Sequence, residues 1–255
     1  MTALEQVTPT ASRLLAPNPG PMTLEGTNTW ILRDPVEQAC VVVDPGPLDD
    51  GHVDRIAAAG PVALIVLTHS HLDHAEAAPR LAELTGAPVV ARDPGWCRDA
   101  PVLEPGRYDA VAGVDWLTIL TPGHSSDSVC LLLPRDRALL TGDTILGRGT
   151  TVVAHPDGRL ADYLDSLRRL RDLAETDVDA LLPGHGPVVE NPLGVLDFYR
   201  AHRQERLEQV QAAIEAGDST AADVVRRVYA DVDRALWPAA ERSVRAQLDY
   251  LAARS

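Results

Sequence analysis

Lysine is absent from this 255-residue chain, so all 23 of its basic side chains are arginines, set against 37 acidic ones. The formal charge of −14 repels nucleic acid and acidic membrane surfaces across the molecule as a whole, leaving only a local basic patch as an exception. The arginine-only composition reads either as phosphate recognition or as genome bias, and little rests on it. Aromatic residues are scarce at 4%, with a single phenylalanine, so few platforms exist on which single-stranded bases could stack. Three cysteines are too few and too scattered for a disulfide framework. Cys40 and Cys130 lie inside apolar runs, where a free thiol acts as a small hydrophobe, and Cys97 is expected at the surface with no thiol at metal-binding spacing. No stretch approaches the roughly 18 apolar residues of a membrane span. Residues 1–17 lack the basic start, apolar run and cleavage site of a secretory signal, which makes the cytoplasm the expected address and a membrane an unexpected partner.

What is present is a globular composition, 45% hydrophobic and 24% charged, with disorder expected only in the first dozen or so residues. Short runs rich in valine, isoleucine and leucine predict strands at 30–32, 40–43, 63–67, 88–91, 117–120, 129–133, 138–140 and 179–182. Leu160, Tyr163, Leu164, Leu167, Leu170 and Leu173 recur at helical spacing and define one apolar face. Strands alternating with helices make the body α/β. Near Leu193 the strand-like runs stop, which divides the chain into a catalytic domain at 1–193 and a helical domain at 194–255. The second part predicts helices at 195–216, 221–229 and 239–253, a trio resembling a helix-turn-helix arrangement. Such a trio serves equally as a packing or dimerisation appendage, or as a contact for RNA or DNA.

The chemistry is written at the strand ends. Apolar runs finish successively in Asp44-Pro45-Gly46, Thr68-His69, Pro122-Gly123-His124, Gly142-Asp143 and Pro183-Gly184-His185. Loops leaving the strand ends of an α/β sheet gather in one crevice, so these residues can converge. A lone histidine at such a place is usually a hydrogen-bonded structural residue. His69-Ser70-His71-Leu72-Asp73-His74 is different, with four candidate ligands in six positions. In an extended segment residues two apart point the same way, so His69 and His71 can grip one metal. Asp73 and His74, where the chain turns into a helix, can serve another. The spacing differs from the helical His-Glu-x-x-His zinc motif. Imidazole and carboxylate ligands suit zinc or iron over magnesium, and the lack of cysteine ligands disfavours a closed structural site.

His-x-His-x-Asp-His followed by a separate His, an Asp and a last His resembles the metallo-β-lactamase superfamily, whose fold is an αβ/βα sandwich. The resemblance covers about residues 18–192. It implies that His69, His71 and His124 bind one ion, that Asp73, His74 and His185 bind a second, and that Asp143 bridges both. Two zinc ions are the implied cofactor, with iron or manganese as alternatives. Asp44 matches the family's aspartate that orients a ligand histidine through its outer ring nitrogen; a turn aspartate ahead of Pro45-Gly46 is the plainer reading. Lactam-cleaving members lack the bridging aspartate, and flavodiiron members carry Glu where His71 stands. With Asp143 and His185 only about forty residues apart, the long insertion of the messenger-RNA nuclease branch is missing. Asn18-Pro19-Gly20-Pro21, Leu24-Glu25-Gly26-Thr27-Asn28-Thr29-Trp30, Ile145-Leu146-Gly147-Arg148-Gly149-Thr150-Thr151 and Pro183-Gly184-His185-Gly186-Pro187 look like the β-lactamase-like protein 2 group. His202-Arg203-Gln204-Glu205-Arg206 looks like that group's winged-helix appendage, although Ser255 comes where a wing hairpin would follow the third helix. The group includes a single-strand endoribonuclease, and related proteins are thioesterases acting on carrier-bound acyl chains.

The expected activity is therefore hydrolysis of an ester, thioester or phosphodiester by a metal-bridging hydroxide. Two dications, two aspartates and one hydroxide sum to about +1, suited to a transition state that gains negative charge. By the same resemblance Asp73 takes a proton from the attacking water. Arg148, just past Asp143, either holds an anionic substrate group or is an ordinary exposed loop arginine. A small-molecule or acyl-carrier substrate is the expected partner, single-stranded RNA an alternative, and a homodimer through the charged tail another. A nucleic-acid- or protein-binding module and an iron-dependent sulfur dioxygenase are the competing functional classes.

Overall fold

The computed structural model describes residues 3–254. β-branched and leucine runs too short for helices pair into two sheets. One contains, in spatial order, β1 (Glu5–Gln6), β2 (Ala11–Leu15), β3 (Asn28–Leu32), β4 (Cys40–Val43), β5 (Val62–Val66) and β6 (Val89–Val90). The other runs from β11 (Ala180–Pro183) through β10 (Ala138–Gly142), β9 (Val129–Leu133) and β8 (Val114–Leu120) to β7 (Gly106–Val111). Among the described residues parallel pairing is confined to β4–β5–β6 and β10–β11, where helical crossovers separate the strands: α1 (Asp50–Ala58), then α2 (Leu72–Ala75) with α3 (Ala78–Thr85), and α4 (Leu160–Ala174).

Period-two alternation sorts the side chains into layers. Val41 and Val43 face inward with Trp30, Leu64 and Val66 against Trp116, Leu131 and Leu133 of the other sheet. Their neighbours Cys40 and Val42 face outward onto Val53, Ile56 and Leu81 of α1 and α3. Cys130 and Leu132 likewise face Tyr163, Leu167 and Leu170 of α4. Helices thus cover both outer faces of a two-sheet sandwich, the αβ/βα architecture expected.

Three expectations need correction. From residue 3 onward the opening stretch is ordered, residues 1 and 2 of the expected disorder lying outside the described residues: β1 and β2 occupy the first sheet's edge, and Ala11 is completely buried. Their pattern was obscured because Thr8, Thr10 and the Asp136 carboxylate form a polar knot that interrupts the apolar run. β7 was also missed, since an edge strand reading Gly-Arg-Tyr-Asp-Ala-Val carries no apolar alternation. Cys97 is half-buried rather than on the surface, packing on the outer core with its thiol donating to the Ala91 carbonyl at 3.4 Å.

The remaining chain forms α5 (Pro192–Glu215), α6 (Ala221–Val228) and α7 (Trp237–Ala252). Asn191 caps α5 ahead of Pro192, and Thr220 and Asp223 form a capping box on α6. α5 belongs to two cores. Leu196 and Tyr199 join the layer under α4, together with Ala246 of α7. Further along, Val210 and Ala213 pack with Val224, Val225, Ala240 and Val244. Among the described residues no strand follows α7, and no helix is long and apolar enough to cross a membrane.

Candidate metal centre

Five candidate residues follow a strand end, Asp44 after β4, His69 after β5, His124 after β8, Asp143 after β10 and His185 after β11, while His71 precedes α2 and Asp73 and His74 lie in it. Asp44 has φ +52, a left-handed conformation that Asp tolerates better than most residues. Its carboxylate accepts from the Thr68 amide at 2.8 Å, the Thr68 hydroxyl at 2.6 Å and His74 Nδ1 at 2.9 Å. It therefore locks the turn that carries His69 and fixes the ring of His74. Gly123, at φ +141, brings His124 into place; a Cβ there would sit 2.3 Å from the Tyr163 Cα.

Hydrogen bonds decide which ring nitrogen each histidine presents. His124 Nδ1 lies 2.6 Å from the Val152 carbonyl and His185 Nδ1 lies 3.2 Å from that of Gly26; a carbonyl only accepts, so both Nδ1 atoms carry the proton. The Thr68 hydroxyl gives its proton to Asp44 and accepts from His69 Nδ1 at 3.1 Å. His69, His74, His124 and His185 thus turn Nε2 toward the crevice, whereas His71 turns Nδ1 toward it; on His69 and His124, which burial keeps neutral, that Nε2 is unprotonated.

Two groups result. His71 Nδ1 is 3.1 Å from His69 Nε2 and 2.9 Å from His124 Nε2. His185 Nε2 is 3.1 Å from both His74 Nε2 and Asp73 Oδ2, with 3.5 Å between the latter two. Asp143 stands between them. Its Oδ2 is 3.4 Å from His185 Nε2 and 3.8 Å from His124 Nε2, and its Oδ1 is 3.4 Å from His74 Nε2. That Oδ1 is buried and has no hydrogen-bond partner. Ligands on a tetrahedral zinc ion, each about 2.0–2.1 Å from it, lie about 3.3 Å apart. Facing lone pairs at such spacings repel unless a cation or proton lies among them, so both groups fit a metal. A third grouping of Asp44, His69 and His74 has its donors and acceptors matched internally.

The two groups differ electrostatically. Burial pushes His69 well below the usual histidine range and His124 down to about 4, so those two are neutral imidazoles. On the other side burial opposes charge on His74 and His185, but carboxylates outweigh it. Asp143, Asp44 and Asp73 hold His74 well above its ordinary value, and Asp143 and Asp73 raise His185 to about 9. Reciprocally, burial opposes the charge on Asp143, yet His185 and His74 keep its carboxyl well below the usual range. Burial is likewise overcome at Asp73, whose carboxyl is lowered by His74 and by the hydrogen bond from His185.

A cleft of about 300 Å³ opens beside His124 and Asp143, between residues 21–24, the 146–152 segment and α5–α7. Arg148 lines it, half-exposed and ion-paired with Glu25. Residues that sequence reasoning had not placed here also line it: His202, Arg203 and Arg206 of α5, and Tyr229. The tail additionally clamps the 146–153 segment. Tyr199 Oη accepts from the Leu146 amide at 2.9 Å, Arg203 donates to the Thr151 carbonyl, and Ser243 Oγ accepts from the Val153 amide at 3.2 Å. Since the Val152 carbonyl orients His124, α5 and α7 support the metal centre. The spacing of His202 and Arg206, four apart on one helical face, was the available signal.

Asp44→Asn tests the outer support. Asn keeps the left-handed turn but gives up one of the two carboxylate oxygens that accept from Thr68 and His74. Metal affinity is expected to fall about 10–100-fold with the fold retained, read by chelator competition and thermal melting.

Known proteins place this geometry. The model of the metallo-β-lactamase superfamily matches residues 22–185, and that of the β-lactamase-associated winged helix domain matches 220–254. A β-lactamase-like protein 2 homologue of Caenorhabditis elegans is 33% identical, over 97% of this chain and 86% of its own. An atrochrysone carboxyl ACP thioesterase of Aspergillus fumigatus is also 33% identical, over 83% of this chain and 67% of its own. The crystal structure of a metallo-β-lactamase family protein from Thermus thermophilus superposes with a TM-score of 0.80 at 23% identity, covering 96% of this chain and 94% of that one. The chain belongs to the metallo-β-lactamase superfamily of metal-dependent hydrolases, among the β-lactamase-like protein 2 homologues.

Proposed function

We propose that the protein is a dinuclear zinc hydrolase that cleaves an ester or thioester carbonyl. The observation that carries this reading is the pair of three-donor groups on either side of Asp143, whose buried Oδ1 lacks a partner. His69, His71 and His124 would hold one ion, Asp73, His74 and His185 the other, with Asp143 shared. When bound, the ions supply Lewis acidity and make a water acidic enough to lose its proton near neutral pH. Asp73 has the more exposed of the two carboxylates, with 30% of its side chain accessible against 11% for Asp143, and would receive that proton. Asp44 and the Val152 carbonyl keep the imidazoles from turning. The cleft, walled by Met22, Leu24, Leu146 and Leu236, seats the acyl part and excludes water from it. The carrier-thioesterase relative supports the choice of a carbonyl substrate.

A turnover panel tests the reading: a p-nitrophenyl ester, the butyryl thioester of N-acetylcysteamine, bis-p-nitrophenyl phosphate and a short single-stranded RNA, each with and without chelator. Chelator-sensitive cleavage of the carbonyl substrates is expected, restored by two equivalents of zinc. Cleavage of RNA alone would shift the assignment to an endoribonuclease. Iron in the purified protein, with oxygen consumption, would shift it to a dioxygenase.

A pH series separates the two groups. Neutral imidazoles bind a metal without losing a proton, so His69 and His124 add little pH dependence from pH 6 to 9, and affinity for the first equivalent is expected to change less than that for the second. His74 and His185, raised, bind protons that a metal must displace. Affinity of the second equivalent therefore rises with pH, and the contribution of His185 levels off above about 9. Zinc titration against a chromophoric chelator at each pH checks this; equal slopes for both equivalents would contradict it.

A further inference from the structure

Most arginines of this acidic chain have carboxylate partners, and Arg148 at the mouth of the cleft is one of them. Arg203 and Arg206 are not. Among the described residues neither has a carboxylate within ion-pair distance, although 37 acidic residues were available to supply one. Arg203 is 5% exposed, the one buried arginine among the described residues. It donates to the Thr151 carbonyl and stacks over the Tyr163 ring, with its guanidinium carbon 5.1 Å from the centroid, but its Nε has no acceptor. One turn further, Arg206 uses Nη1 on Gln209 and on the Val228 carbonyl, at 2.8 and 3.0 Å, and lies over Tyr229. Both line the cleft beside the metal centre.

Burying a guanidinium without an anion is unfavourable, and carbonyl and ring contacts offset this only in part. A permanent carboxylate neighbour would offset part of that cost. It would also repel an anionic ligand, so its absence is informative where a ligand must enter. Of the other ionisable side chains in the lining, burial lowers His202 to about 4, so it adds no charge of either sign, and the Asp143 carboxylate has its oxygens 3.4 Å from His74 and His185.

We infer that the cleft between the sandwich and α5–α7 binds an amphiphilic oxyanion, with Arg203 and Arg206 gripping a carboxylate or phosphate while the ligand's apolar chain lies against Met22, Leu24 and Leu236. Guanidinium forks match both anions side-on. The inference deepens the proposed hydrolysis by assigning the substrate a negative group set apart from the carbonyl that is cleaved.

The test uses the full-length, zinc-loaded protein and calorimetric binding of hexanoate and hexyl phosphate against neutral hexanol. The wild type is expected to bind at least one anion about tenfold or more tighter than hexanol, and whichever anion wins identifies the group. Arg206→Met and Arg203→Met should each bring that preference close to one, and Arg206→Lys should restore part of it. Arg168→Met, on α4 away from the cleft, should leave it intact. If Arg203→Met fails to fold, Arg206→Met and its lysine counterpart still decide. Anions binding no tighter than hexanol would overturn the inference, as would a preference that survives both methionine variants, since the zinc ions would then be holding the anion. Turnover of the two carbonyl substrates is scored separately: chelator-sensitive cleavage of neither sinks the proposed hydrolysis and leaves the binding result standing.

Discussion

Replacing Asp143 by alanine is expected to leave a folded protein that retains one zinc equivalent instead of two and turns over on the order of 10³-fold more slowly. The magnitude follows from losing several kcal/mol of charge stabilisation at a metal-assisted step, about 4 kcal/mol for that factor. The asymmetry follows from geometry. His69, His71 and His124 are close to one another without help from Asp143, whose nearest oxygen is 3.8 Å from His124. His74 and His185 each have an Asp143 oxygen at 3.4 Å and depend on that carboxylate for charge balance. Without it only Asp73 remains to offset a dication within that group. Asp143→Asn separates charge from shape: it fills the same space and should lose nearly as much. Elemental analysis beside turnover reads both effects, and a variant that keeps two equivalents and its rate would remove the basis of the dinuclear assignment.

The body of the sandwich was legible because its strands announce themselves. Val41-Val42-Val43, Ile65-Val66 and Leu131-Leu132-Leu133 are covered on both faces, and such strands read as continuous apolar runs. The donors were legible because each stands where such a run breaks. Edge elements were not, since polar contacts finish them: distant Asp136 beneath Thr8 and Thr10 just ahead of β2, and Asp115 of the neighbouring strand β8 beside Arg107 of β7. Ring orientation was hidden for the same reason. That His71 turns Nδ1 inward while its neighbours turn Nε2 depends on Thr68, Val152 and Gly26, contacts that no spacing rule predicts. The partnership of the tail with the centre was the largest omission. Helical periodicity gave the positions of α5 and α7 to within a few residues, yet it could not say that Tyr199, Arg203 and Ser243 reach back to the segment orienting His124.

A single methyl group is expected to damage the centre nearly as much as losing a ligand. At Gly184→Ala the added Cβ would lie 2.6 Å from His74 Cε1 and 2.7 Å from Asp143 Oδ1, closer than real Cβ contacts allow. The backbone has no room to retreat, because the Gly184 amide donates to the Gly142 carbonyl at 2.8 Å and its carbonyl accepts from the Asn28 amide at 2.7 Å. His74 is held from behind by Asp44. Asp143, with a free Oδ1, is the group that must yield, and it is the carboxylate facing both donor groups. The variant is expected to lose about 1–3 kcal/mol of stability through overpacking. Its affinity for the second zinc should fall more than about 100-fold, beyond what loss of an outer hydrogen bond brings. Gly51→Ala is the matched control. It lies inside α1, where the nearest atom to a new Cβ is Asp49 Oδ1 at 3.4 Å, so alanine should raise stability by roughly 0.4–1 kcal/mol and leave metal binding alone. Thermal melts and zinc titrations on the pair decide the matter: full zinc affinity in Gly184→Ala would mean that His74 and Asp143 do not need the positions seen here in order to bind.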